Sequence, residues 1–121
     1  MKVLIADGVS QMAVDILKDD FDCDVRDKLP AEELLSIIPD YDALIVRSAS
    51  KVTAEVIAAA KNLKIIGRAG VGVDNIDVAA ATDKGIIVIN SPGGNTIAAT
   101  EHTFAMMMAM ARHIPIANET L

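Results

Sequence analysis

Two arginines follow short apolar runs, where each could help to bind a small anion. Arg47 comes directly after Ala43–Val46, and Arg68 follows Lys64–Ile66 after a single glycine. A guanidinium group offers paired donors to a phosphate or a carboxylate. The two segments therefore suggest an anion site, although the local sequence around Arg47 fits a surface arginine beside a capping serine equally well.

A glycine-containing loop follows Arg68 and adds backbone donors. Gly70 and Gly72 allow a ligand to approach the main chain closely, and consecutive amides in such a loop form a concave donor set for an anion. The loop does not match a dinucleotide fingerprint, because Asn75 stands at the third glycine position and no acidic residue closes a second strand about 20 residues later. The pattern favours a small anion over a dinucleotide.

A third loop, Asn90–Thr96, contains the turn-forming residues Ser91, Pro92, Gly93 and Gly94. It delivers Asn95 to the start of the last predicted helix. Asn95 can cap that helix, or it can turn its amide toward a ligand, and a helix amino terminus favours a nearby anion. Both interpretations stay open at this point.

The other candidate groups do not form a metal site or an acid–base pair. His102 and His113 are too far apart for one helical turn to present both to a metal, and Cys23 is distant in sequence. Glu101 and His102 are adjacent, so they point to different faces of a helix. The sequence therefore shows no metal-ligand pattern and no Glu–His pair on one helix face.

Short apolar runs rich in β-branched residues alternate with helical stretches along the chain. Continuous apolar runs are typical of parallel strands that are buried on both faces. Because each parallel connection needs a right-handed crossover, the order predicts an α/β fold with a flavodoxin-like, doubly wound, parallel five-stranded sheet. The expected strands are Val3–Ile5, Cys23–Arg26, Ala43–Val46, Lys64–Ile66 and Ile86–Ile89, with the weaker Cys23–Arg26 at an edge.

Helix start and stop signals support this order. Ser10 and Thr53 can cap the first and third helices, Pro30 opens the second, and Gly85 follows the fourth. In such sheets ligands bind at the carboxyl ends of the strands, so we expect the loops after Val46, Gly67 and Ile89 to meet. The four helical stretches are Gln11–Lys18, Ala31–Ile38, Thr53–Ala60 and Val78–Asp83.

The last predicted helix, Thr96 to His113, differs from the others because it is apolar on nearly every face. Four of its methionines fall within five positions, Met106 to Met110. A helix that is apolar all round is normally buried all round. Either it is a core helix filled with flexible methionine, or it packs against something that this chain does not contain.

Composition limits the class of protein. The 121 residues suit one globular domain, 52% of them are hydrophobic, and no run of about 18 apolar residues could cross a membrane. A net charge of −6 argues against a nucleic-acid partner but not against a small anion. Because there is one cysteine and no signal-peptide pattern, we expect a cytoplasmic protein.

Four segments together resemble the D-isomer-specific 2-hydroxyacid dehydrogenases, and the likeness covers essentially the whole chain. Ile45–Ser48 reads Ile-Val-Arg-Ser, and Ile66–Asp77 contains Arg-Ala-Gly-Val-Gly-Val-Asp-Asn. Asn90–Thr96 reads Asn-Ser-Pro-Gly-Gly-Asn-Thr, and Ala111–Pro115 reads Ala-Arg-His-Ile-Pro.

The resemblance implies oxidation of 3-phosphoglycerate to 3-phosphohydroxypyruvate with NAD, in serine biosynthesis. Residues 1–95 would form the substrate-binding domain, and residues 96–121 would be a crossover helix to an absent NAD-binding domain. The family's catalytic residues belong to that other domain, so the chain alone should be inactive. Because the methionines of the last helix cannot all be buried within this chain, a homo-oligomer is also expected, and that helix could form its interface.

The resemblance also assigns roles to individual residues. Backbone amides around the glycine loop would receive the substrate carboxylate, and Val71 would also border the nicotinamide of the cofactor. The substrate contacts that it implies are Arg47, Ser48, Arg68, Gly70, Val71, Gly72 and Asn95.

Two other classes of protein share this order of elements. A phosphoacceptor receiver module would need an aspartate at the end of the third strand, where Arg47 stands instead. A free-standing regulatory or small-anion-binding α/β domain remains the alternative, because it would need the same anion-binding loops without any dehydrogenase partner domain.

Overall fold

The structure, a computed structural model, describes residues 1–120. Its five strands are β1 (Lys2–Ile5), β2 (Asp22–Val25), β3 (Ala43–Val46), β4 (Ile65–Arg68) and β5 (Ile87–Asn90). They form one parallel sheet in the order β2-β1-β3-β4-β5. This is the flavodoxin-like order, so the predicted fold class is confirmed, as is the edge position of β2.

The first four helices connect the strands as crossovers, and the last two follow β5. They are α1 (Gln11–Lys18), α2 (Ala31–Ile37), α3 (Ala54–Ala59), α4 (Val78–Asp83), α5 (Thr96–Ala111) and α6 (Ile114–Thr120), with a 3₁₀ turn at Ile38–Asp40. Ser10 and Thr53 accept hydrogen bonds from first-turn amides, as predicted. Asp77 caps α4 in the same way through the amide of Ala80, which the sequence reading missed.

The two faces of the sheet are covered unequally. Helices α2, α3 and α4 bury the larger cluster, which includes Leu4, Leu44 and Ile66. Helix α1 alone covers a smaller cluster on the other face, around Val3, Ile5 and Val14. On that face, no helix of the described chain covers β5, so Ile87 and Ile89 are more than half exposed. A parallel sheet normally has both faces covered, so this side is an incomplete core within residues 1–120.

Helix α5 extends away from the sheet and buries none of its own residues. Phe104, Met106, Met107, Met108 and Met110 are between 51% and 72% exposed. The interpretation of this segment as a core helix is therefore wrong for the described chain, and the helix offers its apolar surface to something else. Among residues 1–120, no helix combines the length and the apolar character that a membrane span requires.

The predicted single helix from Thr96 to His113 is also wrong at its end. Helix α5 stops at Ala111, and His113 adopts a left-handed conformation with φ of 50° before α6 begins. Pro115 explains the break, because it has no amide proton to donate and its ring clashes with the carbonyl one turn earlier. Proline is tolerated in the first turn of the new helix. Leu121 lies outside the described residues.

We predict that Gly85→Ala destabilises the fold by about 1 kcal/mol, because Gly85 has a φ of +73° that alanine rarely adopts. No atom lies within 4 Å of the added methyl group, so backbone strain should be the only cost. Gly93→Ala is the matched control, since its methyl group also meets nothing and its φ is not positive. Urea unfolding should show a lower midpoint for Gly85→Ala alone; equal midpoints would contradict the prediction.

Candidate functional site

Three strands end side by side at the carboxyl edge of the sheet. Val46 pairs with Arg68, and Arg68 pairs with Asn90, in the registers of β3 with β4 and of β4 with β5. The prediction placed Arg68 in a loop after a strand ending at Ile66, whereas β4 includes Gly67 and Arg68. The strand continues through Gly67 and Arg68 because β3 and β5, on either side of β4, supply backbone partners for these two residues. The three candidate loops therefore begin at one level.

These loops surround one cavity of about 650 Å³. Such a volume falls within the range of small-molecule sites. All seven residues implied as substrate contacts line it, together with three that were not among them. The lining residues are Arg47, Ser48, Arg68, Ala69, Gly70, Val71, Gly72, Ser91, Gly94 and Asn95. The structure thus brings the predicted set together, while the binding role of each residue stays a prediction.

A buried carboxylate organises the loop that carries Arg47. Asp7 follows β1 and is 4% exposed. Its Oδ2 accepts hydrogen bonds from the amides of Arg47 (2.6 Å) and Ser50 (3.1 Å), and its Oδ1 accepts one from the Ser50 hydroxyl (2.6 Å). Burial raises the pKa of Asp7, but these hydrogen bonds outweigh it and hold the pKa below its ordinary value. The group is therefore a carboxylate at neutral pH.

Two asparagine side chains connect the loops to one another. The Nδ2 of Asn75 donates to the carbonyls of Arg47 and Ser50, at 2.7 Å each. The Nδ2 of Asn90 donates to the carbonyl of Val71 at 2.6 Å. These bonds span loops that are far apart in sequence, so each loop is held by its neighbour as well as by its own strand.

Arg68 lies against the glycine loop. A Cβ on Gly70 would overlap the Nη1 of Arg68 and would lie 2.9 Å from its Cζ. The buried Nε of Arg68 has no hydrogen-bond partner among residues 1–120. Gly70 is therefore needed so that the guanidinium can occupy this position, and the hydrogen bonding of Arg68 is incomplete within the described chain.

The glycine loop offers fewer free amides than the sequence suggested. The Gly70 amide already donates to the Arg68 carbonyl at 2.8 Å. Within residues 1–120, the amides of Val71 and Gly72 donate to no backbone acceptor. These two amides remain as candidate donors to an anion. Asn95 stands at the start of α5 but makes no capping bond through its side chain, so its amide is also available to the cavity.

Sequence reasoning missed Asp7 as a functional candidate and read Asn75 only as a substitute for a glycine. A signal for Asp7 was present, since a charged residue directly after a buried strand lies at the ligand-binding edge. Asn75 gave no such signal, because its partners are backbone carbonyls in another loop.

His102 lies on the exposed helix α5, away from the cavity lining. The described residues hold no group of three or more side chains arranged to bind a metal ion.

Comparison with known proteins relates the whole chain to one family of enzymes. Residues 3–120 match the model of the D-isomer specific 2-hydroxyacid dehydrogenase catalytic domain. A D-3-phosphoglycerate dehydrogenase from Synechocystis is 59% identical over 120 residues, which cover 99% of this chain and 22% of that protein. The chain spans about a fifth of the length of the curated relatives that it matches.

Solved structures show the same fold. A protein from Thermus thermophilus has a TM-score of 0.90 at 34% identity, covering 97% of this chain and 39% of that one. An NAD⁺-bound 3-phosphoglycerate dehydrogenase from Entamoeba histolytica has a TM-score of 0.80 at 32% identity, covering 90% of this chain and 38% of that one.

We predict that Gly70→Ala moves the Arg68 guanidinium out of its present position without unfolding the chain. The added methyl group meets the far end of a flexible side chain, so the arginine should rotate away. Gly67→Ala is the control, because its methyl group would make ordinary contacts of 3.8 and 3.9 Å with Ile45 and Ile89. Crystal structures of both variants should show a displaced Arg68 in the first only. An unmoved guanidinium in Gly70→Ala would contradict the packing described here.

Proposed function

The chain belongs to the D-isomer-specific 2-hydroxyacid dehydrogenase family, and we propose on that basis that it is the substrate-binding part of an enzyme of serine biosynthesis. This enzyme would oxidise 3-phosphoglycerate to 3-phosphohydroxypyruvate with NAD. The observation that carries the proposal is that Arg47 and Arg68 line one cavity at the carboxyl edge of the sheet. The named relatives act on phosphoglycerate, whose two anionic groups match two cationic side chains.

In this proposal, the residues of the cavity bind and orient the substrate. Arg47 uses one nitrogen, Nη1, to donate to the carbonyl of Gly8 at 3.0 Å, and its other donors are available to the ligand. Arg68 adds a second guanidinium, while the amides of Val71 and Gly72 receive the carboxylate. Ser48 and Asn95 contribute polar side chains at the same cavity. Hydrogen bonds to charged ligand groups in such a site are stronger than neutral ones.

The described residues do not fit a dinucleotide site of their own. Asn75 replaces the third glycine of the fingerprint, and its side chain is committed to two backbone carbonyls. Val71, which is 40% exposed at the cavity, is the one residue that we propose to border the nicotinamide. NAD supplies the hydride acceptor, and the protein orients the substrate toward it. Without a base in the cavity, this chain alone is expected to catalyse no hydride transfer.

The proposal divides the chain at the start of α5. Residues 1–95 would be the substrate-binding domain, and residues 96–121 would cross to an NAD-binding domain. The exposure of α5 supports this division, because nothing in residues 1–95 covers it. A reducing, cytoplasmic setting is part of the proposal and is supported by the single free Cys23.

We predict that the chain binds 3-phosphoglycerate and that Arg47→Gln or Arg68→Gln each weakens binding by about tenfold or more, because each removes charge-assisted hydrogen bonds. Arg112→Gln, which changes an arginine outside the cavity, is the matched control. Calorimetric titration should measure the dissociation constants of the unaltered chain and of the three variants.

Two results of that titration would contradict the proposal. One is the absence of binding by the unaltered chain at millimolar ligand. The other is equal affinity of Arg47→Gln, Arg68→Gln and Arg112→Gln for the ligand. Equal affinity of the unaltered chain for sulfate and 3-phosphoglycerate would instead favour a free-standing small-anion-binding domain.

We also propose that copies of the chain associate through α5, since large exposed apolar patches mark interaction surfaces. Light scattering should show a dimer or larger species at high protein concentration. Phe104→Glu with Met107→Glu should yield monomers, because both side chains lie on the exposed helix. Met12→Glu is the control, as Met12 is an exposed methionine on α1. A monomeric unaltered chain would disprove association through this helix.

A further inference from the structure

We propose that Asp7 is a positioning residue for the cavity: its buried carboxylate holds the backbone from Arg47 to Ser50 in the conformation that directs the Arg47 side chain to the ligand. The inference rests on the proposed function only for what Arg47 binds. The geometry of the loop stands independently of that function, because it is set by hydrogen bonds within the chain.

The loop is fixed from two sides. Asp7 accepts from the amides of Arg47 and Ser50, while Asn75 donates to the carbonyls of the same two residues. The backbone N–H and C=O groups of Arg47 and of Ser50 are therefore all hydrogen-bonded to side chains from other segments. Regular secondary structure does not continue through this loop, so these side chains replace the backbone partners that a strand or helix would provide. Removing the Asp7 carboxylate would leave both amides without their acceptor, so that only Asn75 would still hold the loop.

The carboxylate leaves the arginine free for a ligand. The Asp7 carboxylate accepts from two backbone amides and one hydroxyl, whereas the Arg47 guanidinium donates to the Gly8 carbonyl instead. An ion pair between Asp7 and the guanidinium would compete with an anionic substrate for the same donors. Asp7 thus orders the arginine through its backbone without neutralising its side chain.

The hydrogen-bond chemistry predicts which substitutions this role tolerates. In Asp7→Asn the remaining oxygen can accept both amides, and the new amide group can donate to the Ser50 hydroxyl oxygen. In Asp7→Ala the same three donors lose their acceptor in a buried site, where an unpaired polar group is costly. The loop should then rearrange until these donors reach water or another acceptor, and Arg47 would move with it.

Asp42 provides a matched control. Its carboxylate also accepts a backbone amide from β1, that of Lys2 at 2.9 Å, and it contacts Lys64 at 3.1 Å. Asp42 lies just before β3, at the amino edge of the sheet, and so at the end opposite the cavity. Asp42→Ala removes an equivalent link between strands without touching the Arg47 loop. Any loss of stability that it causes should leave ligand affinity unchanged.

The experiment measures ligand affinity and loop order separately. Calorimetry gives the dissociation constant for 3-phosphoglycerate, and amide hydrogen exchange gives the protection of Arg47 and Ser50 relative to the core amide of Ile66. For Asp7→Ala we expect affinity to fall by about tenfold, the loss of one charge-assisted contact, and the relative exchange to accelerate by a similar factor. Asp7→Asn and Asp42→Ala should each give the values of the unaltered chain in both measurements.

The possible results distinguish this inference from the proposed function. Unchanged affinity in a folded Asp7→Ala would overturn the positioning role. Loss of affinity in Asp7→Asn with its loop amides still protected would overturn it too, since the carboxylate would then act through its charge. If the unaltered chain binds no 3-phosphoglycerate, the proposed function fails, and unchanged relative exchange in Asp7→Ala would still refute the loop-ordering role.

A second variant covers the case in which Asp7→Ala does not fold. Ser50→Ala removes only the hydroxyl that donates to Oδ1 at 2.6 Å and leaves both amide contacts in place. It should produce a smaller change of the same kind, about threefold in affinity and in relative exchange. Values equal to those of the unaltered chain in both measurements would contradict the inference.

Discussion

The site depends on the shared register of three parallel strands at their carboxyl ends. Val46, Arg68 and Asn90 stand side by side, so the loops that follow them must leave the sheet at the same level. A slip of one residue would turn the Arg68 side chain to the opposite face, since successive side chains alternate. The buried cluster around Leu44 and Ile66 fixes this register because a slip would expose it. The core of the fold thereby places the arginines.

Hydrogen bonds between loops then turn this alignment into a defined cavity. Asp7, Asn75 and Asn90 each reach from one segment to the backbone of another. None of them needs to touch the ligand to shape the site. An acidic chain of net charge −6 can still present a local cationic surface, because two nearby guanidinium groups outweigh charges that are distant and screened by salt.

The sequence predicted which strands and helices form and which residues line the cavity. It predicted less well where individual strands and helices end. Continuous apolar runs located four of the five strands, because burial on both faces of a parallel sheet leaves such a pattern, and β2 was found from the weaker, alternating run Cys23–Arg26 that suits an edge strand. The extension of β4 through Arg68 could not be read locally, since it depends on partners in β3 and β5. The break after Ala111 was readable from Pro115 but was outweighed by the apolar pattern. The Asp7 network depended on contacts between residues forty or more positions apart, which a single sequence does not reveal.

A crystal structure of the chain with bound 3-phosphoglycerate tests the central claim most directly. We expect the ligand to lie in the carboxyl-edge cavity, with its anionic oxygens about 2.7–3.2 Å from guanidinium nitrogens of both Arg47 and Arg68. The Val71 or Gly72 amide should also donate to the carboxylate. A ligand bound elsewhere, or bound in the cavity with both arginines turned away from it, would contradict this description of the site.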